Sequence, residues 1–125
     1  MSSTSRITFV QGDAKPIRRF VTAIPQDQTA TKAWFTVKVS AADADQDAKI
    51  AKIITTQASA DGLIEDAGAG GTATVRFDLQ SEDTADLVAG QRYLYDIQVL
   101  LSGGGPYTPE LGTFVVVPQI TQADA

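Results

Sequence analysis

The sequence predicts an all-β protein, and three observations support this fold class. Short stretches alternate apolar with polar residues, as strands with one buried face do. Glycine, proline and aspartate separate these stretches, and only one short stretch has a helix start. At 125 residues, the chain has the size of one domain, which we expect to span residues 1–125. Together they predict an Ig-like antiparallel β-sandwich of seven to eight strands.

The predicted strands follow one another between these turn signals. We expect strands over residues 6–10, 17–24, 33–39, 62–65, 72–79, 92–101 and 112–117. Residues 48–56 form either a further strand or a turn of helix. A helical turn over 81–88 starts at Ser81, which is followed by acidic residues as helix N-termini often are. The tail, residues 119–125, is predicted to be mobile.

One short motif indicates which type of β-sandwich the chain forms. Leu87, Gly90 and Tyr93 have the spacing L-x-x-G-x-x-Y just before a strong strand. This spacing is typical of the tyrosine corner of immunoglobulin-type and fibronectin-type sandwiches, in which the hydroxyl binds the loop before its own strand. The alternative is that Tyr93 is simply a core aromatic residue. Both interpretations place Tyr93 inside the sandwich.

Apolar residues on both sides of the late strands predict a contact surface. Alternation buries every second residue of two neighbouring strands, namely Tyr93, Tyr95, Ile97, Val99, Phe35, Val37 and Val39. The apolar residues left outside form what we call the outer strip: Trp34, Leu94, Leu100, Val115 and Val117. An outward apolar strip marks a protein–protein contact. The alternative is that Trp34 is the core tryptophan of its strand and the others are scattered surface residues.

The composition argues against catalysis and metal binding. The chain has no cysteine and no histidine, which removes the commonest general base and the commonest metal ligands. Asp43, Asp45 and Asp47 resemble the opening of a calcium loop, but Ala48 and Ile54 stand where that loop needs glycine and glutamate. We therefore expect no catalytic residue, no cofactor and no metal site.

The distribution of charge favours a protein partner. The net charge is −5, which argues against a nucleic-acid binder. Eight of the ten basic residues lie in the first 52 positions, while the remainder is strongly acidic. This asymmetry indicates either two differently charged surfaces or electrostatic complementarity, between copies of the chain or with a partner. The chain has neither a secretory signal nor an apolar run of about 20 residues, so we expect no membrane contact.

Five ordered pieces of sequence carry a family resemblance. They are Gln11–Asp13, Trp34–Lys38, Asp83–Leu87, Tyr95–Val99, and the closing Gly112–Val115 with Ile120 and Thr121. Together they resemble the small β-sandwich of tailed-bacteriophage virion proteins. This sandwich is similar to the N-terminal domain of phage baseplate upper proteins and to stand-alone capsid decoration and tail proteins. In the baseplate family this domain docks on the tail hub and a longer C-terminal part follows, whereas this sequence stops at Ala125.

The resemblance implies a non-enzymatic structural protein, made in the host cytoplasm and located in the virion. Its expected partners are other virion proteins, either major capsid subunits or tail and baseplate subunits, bound in many copies as a homo-oligomer. Capsid decoration, in which a cement protein bridges capsomers, is the first expectation because the subunit is compact and acidic. A tail, neck or baseplate component is the second. A carbohydrate-binding module is the third, and it would need a cluster of exposed aromatic residues.

Overall fold

Two packed β-sheets build the protein. The computed structural model describes residues 5–22, 24–25, 27–40, 42–43, 47–69 and 71–118. Within these ranges the elements are β1 (Ser5–Val10), β2 (Lys15–Val21), β3 (Ala30–Lys38), β4 (Ile50–Thr55), β5 (Gly62–Asp66), β6 (Ala73–Leu79), α1 (Ser81–Ala85), β7 (Arg92–Leu101) and β8 (Pro106–Val117). The ambiguous segment 48–56 therefore contains a strand, and α1 is shorter than the predicted helical turn.

The strand order is that of an immunoglobulin-type sandwich. One sheet has five strands in the order β1-β8-β7-β3-β4, and the other has three in the order β2-β6-β5. Strands β8-β7-β3-β4 correspond to G-F-C-C′ of a variable-type domain, and β2-β6-β5 correspond to B-E-D. Every strand pair is antiparallel except β1 with β8, which is parallel. The predicted all-β, Ig-like fold class is confirmed.

The core lies between the two inner faces. Phe35 on β3 is fully buried, and its ring centroid lies 5.6 Å from that of Phe77 on β6 in the opposite sheet. The rings of Tyr95 and Phe114 lie 5.8 and 6.0 Å from Phe35 within its own sheet. Phe35 therefore occupies the centre of β3, the strand that carries a core tryptophan in antibody domains.

The end of β3 departs from the predicted alternation. Val39 is 45% exposed, so the prediction that it packs inward is wrong. The strand ends at Lys38, and the register with β4 ends one residue earlier, where Val37 pairs with Ile50. Val39 has no register partner in β4 or β7, and the chain then turns at Ser40, whose carbonyl accepts the N–H of Asp43 at 3.0 Å.

The loop before β7 contains the predicted corner motif. Leu87 and Tyr93 are buried, and the Tyr93 hydroxyl accepts the backbone N–H of Val88 at 2.9 Å. Gly90 has a φ of +86°, which suits glycine, and its N–H donates to the carbonyl of Val116 at 2.8 Å. The hydrogen bond to Tyr93 is the kind of contact that a tyrosine corner makes. Whether it acts as one stays a prediction, to be tested by mutation.

The side chain of Gln11 holds α1 against the turn that follows β1. Its amide donates to the carbonyls of Leu87 and Ala85 at 2.8 and 3.0 Å. The neighbouring Gly12 N–H donates to the Thr84 hydroxyl at 2.9 Å. The bond to Ala85 satisfies a carbonyl that the end of α1 leaves without an intrahelical partner. The Gln11–Asp13 piece of the family resemblance therefore has a structural role.

A buried lysine and an aspartate lie at the edge strand β4. Lys52 is on the inner face, and its ammonium lies 2.8 Å from Asp83 and 3.9 Å from Asp61. The other carboxylate oxygen of Asp61 accepts the backbone N–H of Ile53 at 3.0 Å. Paired charges allow a lysine to be buried. This inward lysine places its neighbour Ile53 on the outer face.

Candidate functional site

A groove lies on the outer face of the five-stranded sheet, where β3, β7 and β8 run side by side. Its volume is about 510 Å³. We call it the outer groove, and it is lined by Trp34, Thr36, Lys38, Leu94, Tyr95, Asp96, Gln98, Leu111 and Gly112. A groove of this size, with mixed polar and apolar walls, is within the range of ligand and anchor-residue pockets.

The strand register explains why these side chains meet. Across β3 and β7, Trp34 lies opposite Gln98 and Lys38 opposite Leu94. Across β7 and β8, Asp96 lies opposite Leu111. Each of these pairs points away from the core, because the alternate residues of the same strands are buried.

The outer groove has apolar side chains that water reaches. Leu94 is 39% exposed and Leu111 more so, and Ile53 on the neighbouring β4, which does not line the groove, is also exposed. Trp34 is half-buried, and the Lys32 ammonium lies 5.3 Å from its ring centroid, at cation–π distance. The interpretation of Trp34 as a core residue is therefore wrong. Its position on the outer face agrees with the outer strip.

The five residues of the predicted outer strip differ in exposure and in their position on the sheet. Trp34 and Leu94 line the outer groove, whereas Leu100 and Val117 are half-buried elsewhere on the sheet. Val115 points away from the core cluster but is only 6% exposed, so little of its side chain is available for a contact. The reason is its place in the sheet: β1 and β7 flank it on both sides, with Thr8 and Arg92 as its register partners.

Two surface residues of this face were missed by the sequence analysis. Leu111 precedes the predicted start of its strand, which begins at Pro106 and not at Gly112. Ile53 lies in the segment that was ambiguous between strand and helix, and it pairs with Trp34 across β3 and β4. The residue types of Ile50–Thr55 gave no alternation signal, because Lys52 lies on the inner face and Ile53 on the outer face.

The outer face of the five-stranded sheet is cationic, although the chain is acidic. Four basic residues occupy its outward strand positions, namely Arg6, Lys32, Lys38 and Arg92. Among the outward positions of the described strands of this sheet, Asp96 is the one carboxylate. The face therefore attracts anionic groups, and it repels another cationic surface.

The outer face of the three-stranded sheet balances its own charges. Arg18 and Arg76 are direct register partners, and Glu65 binds both, at 2.6 and 3.0 Å. Asp78 lies 3.0 Å from Arg76. The hydrogen bond from Arg18 and the nearby guanidinium charges lower the pKa of Glu65, and the same carboxylate raises the pKa of Arg18. Phe20 is 70% exposed on this face.

A third polar cluster joins the two sheets from inside. Arg19 on β2 donates to Glu110 on β8 at 3.1 Å, and the Tyr95 hydroxyl donates to the same carboxylate. Burial, and then the hydrogen bond to Glu110, raise the pKa of Tyr95. Tyr95 stays protonated at neutral pH. The polar groups of the cluster bind one another, and through Glu110 they connect β2 to β7 and β8.

Two further findings concern chemistry and membranes. In the described ranges, no three acidic side chains come together to hold a metal ion. Asp43 and Asp47 of the calcium-like motif are described, whereas Asp45 lies outside the described residues. Over the same ranges, the structure contains no helix with the length and apolarity needed to cross a membrane.

The strand order and the two-sheet packing define the class of the protein as an Ig-like β-sandwich. No protein-family model and no curated protein matches the chain. A solved structure titled Tim-1 aligns over 95% of this chain and 95% of its own chain, with 16% sequence identity and a TM-score of 0.38. A likeness at that score carries no argument, and the fold class rests on the strand order.

Proposed function

We propose that the protein is a non-enzymatic structural subunit of a tailed-phage virion, and that it binds neighbouring virion subunits through the outer face of its five-stranded sheet. Two lines support this proposal. The sequence resembles phage virion sandwiches over most of its length. The outer groove, in which Leu94 is exposed on a face with four outward basic residues, is the observation that supports a protein contact.

The energetic reason for such a contact is simple. An apolar groove that stays exposed to water contributes no hydrophobic free energy. Burying one large side chain such as Leu94 against a partner contributes about 1.5–3 kcal/mol to the free energy of binding. In a particle this contribution repeats for every copy. The basic residues around the groove bring an acidic partner surface into register. Binding of this kind needs no reacting group, which agrees with the composition.

Capsid decoration is the role we place first, as a cement subunit that bridges capsomers. A compact acidic domain with one adhesive face suits this task. A tail, neck or baseplate position is the second role, and the resemblance to the N-terminal domain of baseplate upper proteins supports it. Immunogold labelling of purified virions distinguishes the two roles, because label on the head supports decoration and label on the tail supports the second role.

The carbohydrate-binding alternative has one observation in its favour. Trp34 lies in the outer groove beside Gln98, and an aromatic ring next to planar polar groups suits a sugar. However, the Lys32 ammonium lies over that ring, so one ring face is already in use. Binding of the purified protein to a glycan array, lost in Trp34→Ala, would support this alternative over a protein contact.

The test of the proposed function is incorporation into particles. Particles lacking the protein are mixed with wild type, Leu94→Asp or the control Phe20→Asp, and the bound fraction is measured. We expect Leu94→Asp to fold but not to bind, because a buried unpaired carboxylate costs several kcal/mol. Phe20→Asp changes the outer face of the other sheet and should bind like wild type.

Circular dichroism of each variant is the folding control for this experiment. If Leu94→Asp folds and binds normally, the outer groove is not the contact surface. If wild type does not bind to particles at all, the virion role itself is wrong.

A further inference from the structure

The turn between β4 and β5 contains a chemically labile pair of residues, Asp61 and Gly62. An aspartate isomerises most readily when glycine follows it, because glycine has no side chain to shield its backbone nitrogen from the neighbouring carboxyl group. Asp61 is the one aspartate of the sequence that glycine follows, and the sequence has no asparagine. The side chain of Asp61 is 38% exposed, so burial alone does not protect it.

Two hydrogen bonds hold the peptide unit that joins these residues. Its carbonyl, that of Asp61, accepts the N–H of Asp78 on β6 at 2.9 Å. Its N–H, that of Gly62, donates across the tight turn to the carbonyl of Ser59 at 3.2 Å. The Asp61 carboxylate is held separately, because it accepts the backbone N–H of Ile53 at 3.0 Å. Rotation of this peptide plane toward the carboxylate therefore breaks both backbone bonds.

We propose that Asp61–Gly62 is a modification site, at which aspartate isomerises to isoaspartate when the turn is open, and that the folded turn suppresses the reaction. The backbone nitrogen of Gly62 attacks the Cγ of the protonated Asp61 carboxyl group and loses its proton, and the carboxyl hydroxyl leaves as water. One water molecule then opens the resulting succinimide. Opening at the main-chain carbonyl leaves the peptide bond on Cγ, which is isoaspartate, and opening at Cγ restores aspartate.

The folded turn opposes the first of these steps. The attacking nitrogen has to leave the Ser59 carbonyl, and the Asp61 carbonyl has to leave the Asp78 N–H. The carboxyl group has to leave the Ile53 N–H as well. The reaction is therefore confined to molecules in which the turn has opened, and its rate follows the population of the open state.

Isoaspartate does not fit the folded turn. Gly62 packs so closely on β6 that a Cβ placed on it would lie 2.0 Å from the Arg76 carbonyl oxygen. Isomerisation adds a methylene to the main chain directly before Gly62, at the point where Gly62 pairs with Phe77. It also displaces the carboxylate that accepts the Ile53 N–H. We therefore expect a modified chain to be less stable and to lose this contact with β4.

The first experiment compares the folded and the unfolded full chain. The purified protein is incubated at neutral pH with and without guanidinium chloride and is then digested with trypsin. Cleavage after Lys52 and Arg76 releases peptide 53–76, which contains Asp61 and, as an internal control, Asp66 followed by alanine. Chromatography separates the aspartate and isoaspartate forms of this peptide, and electron-transfer fragmentation locates the modified position.

Isoaspartate at position 61 should form at least about tenfold faster in the unfolded chain than in the folded protein, because the native turn opens only rarely. In the unfolded chain it should also form faster at Asp61 than at Asp66. Equal rates with and without guanidinium chloride would overturn the suppression by the fold. Equal rates at the two aspartates of the unfolded chain would overturn the assignment of the site.

The second experiment measures what the modification does to the fold. After removal of guanidinium chloride, chains with isoaspartate at position 61 are separated from unmodified chains of the same sample, which are the matched control. We expect the modified chains to have a lower urea midpoint and faster hydrogen exchange at the Ile53 amide, since this N–H has lost its acceptor. An unchanged midpoint together with unchanged exchange would overturn the effect on β4. None of these measurements involves binding to particles, so the inference and the proposed function are tested separately.

Discussion

The outer faces of the two sheets differ in how their charged side chains are paired. Both belong to sheets that pack on the core with one face and expose the other. On the three-stranded sheet, Glu65 binds two arginines and Asp78 binds one of them, so charges are matched within the chain. On the five-stranded sheet, basic residues surround an apolar groove and one carboxylate faces out from the described strands. The first face is charge-matched within the chain, whereas the second combines exposed apolar side chains with an excess of basic residues, and for this reason we propose a partner for it.

The largest effect should separate the inner from the outer side of a single strand. Phe35 is fully buried among three aromatic rings, so Phe35→Ala should destabilise the protein by about 3–5 kcal/mol. Trp34 is its neighbour on the outer face, and Trp34→Ala should cost less than half as much. Urea denaturation measures both. Equal losses would mean that Trp34 packs like a core residue and that the outer face is less available than described.

The next effect concerns the anchor of β7, the strand that carries Leu94 to the outer groove. Tyr93→Phe removes the hydroxyl that accepts the Val88 N–H and leaves this part-buried donor without its partner. We expect a loss of about 1–3 kcal/mol in the free energy of unfolding. Chemical denaturation of wild type and variant is the measurement. Equal stability would leave Tyr93 as a core aromatic residue and remove the tyrosine corner.

A smaller effect should appear on the charge-matched face, and it depends on pH. The pKa of Glu65 is below its ordinary value of 4.5 in the folded protein. Its contribution to stability is therefore present above that value and is lost as the pH falls through the lower folded pKa. Glu65→Gln should lower the urea midpoint at pH 7, and the difference from wild type should disappear in acid. In the Glu65→Gln background, Arg18→Ala should add little, and an additive loss would show that the pair is not coupled.

The smallest effect is expected at the loop beside the cationic face. The Lys38 ammonium donates to the backbone carbonyl of Asp43, so this loop packs close to the outer groove. We expect the same melting temperature in EDTA and in millimolar calcium, within about 1 °C, because a ligand that binds only the native state would raise it. A rise of several degrees would identify Asp43, Asp45 and Asp47 as ligands.

Local patterns were enough to predict the fold class and the inner side of β7. Tyr93, Tyr95, Ile97 and Val99 alternate strictly, and all four are buried. Pairing between distant strands was not predictable in this way. The parallel contact of β1 with β8 joins opposite ends of the chain, and it is this contact that flanks Val115 and makes it unavailable.

Only part of the candidate site was predictable from the sequence. Trp34 and Leu94 followed from alternation. Leu111 was missed because Pro106 and Pro109 indicate a turn, although both lie within β8. Ile53 was missed because its neighbour Lys52 is a charged residue on the inner face, which is possible only through Asp83 and Asp61. No local rule indicates that a lysine will find such partners.

The contact between Asp61 and Ile53 has a consequence for crowded subunits. Strand β4 ends the five-stranded sheet, so its free side could template a strand from another molecule and start a continuous β-fibre. The Asp61 carboxylate already holds one N–H of that strand and places a negative charge beside it. Strand addition there would have to displace the carboxylate first. Under the proposed function, this carboxylate would disfavour edge-to-edge growth between copies held close together and favour contacts that leave each sandwich intact.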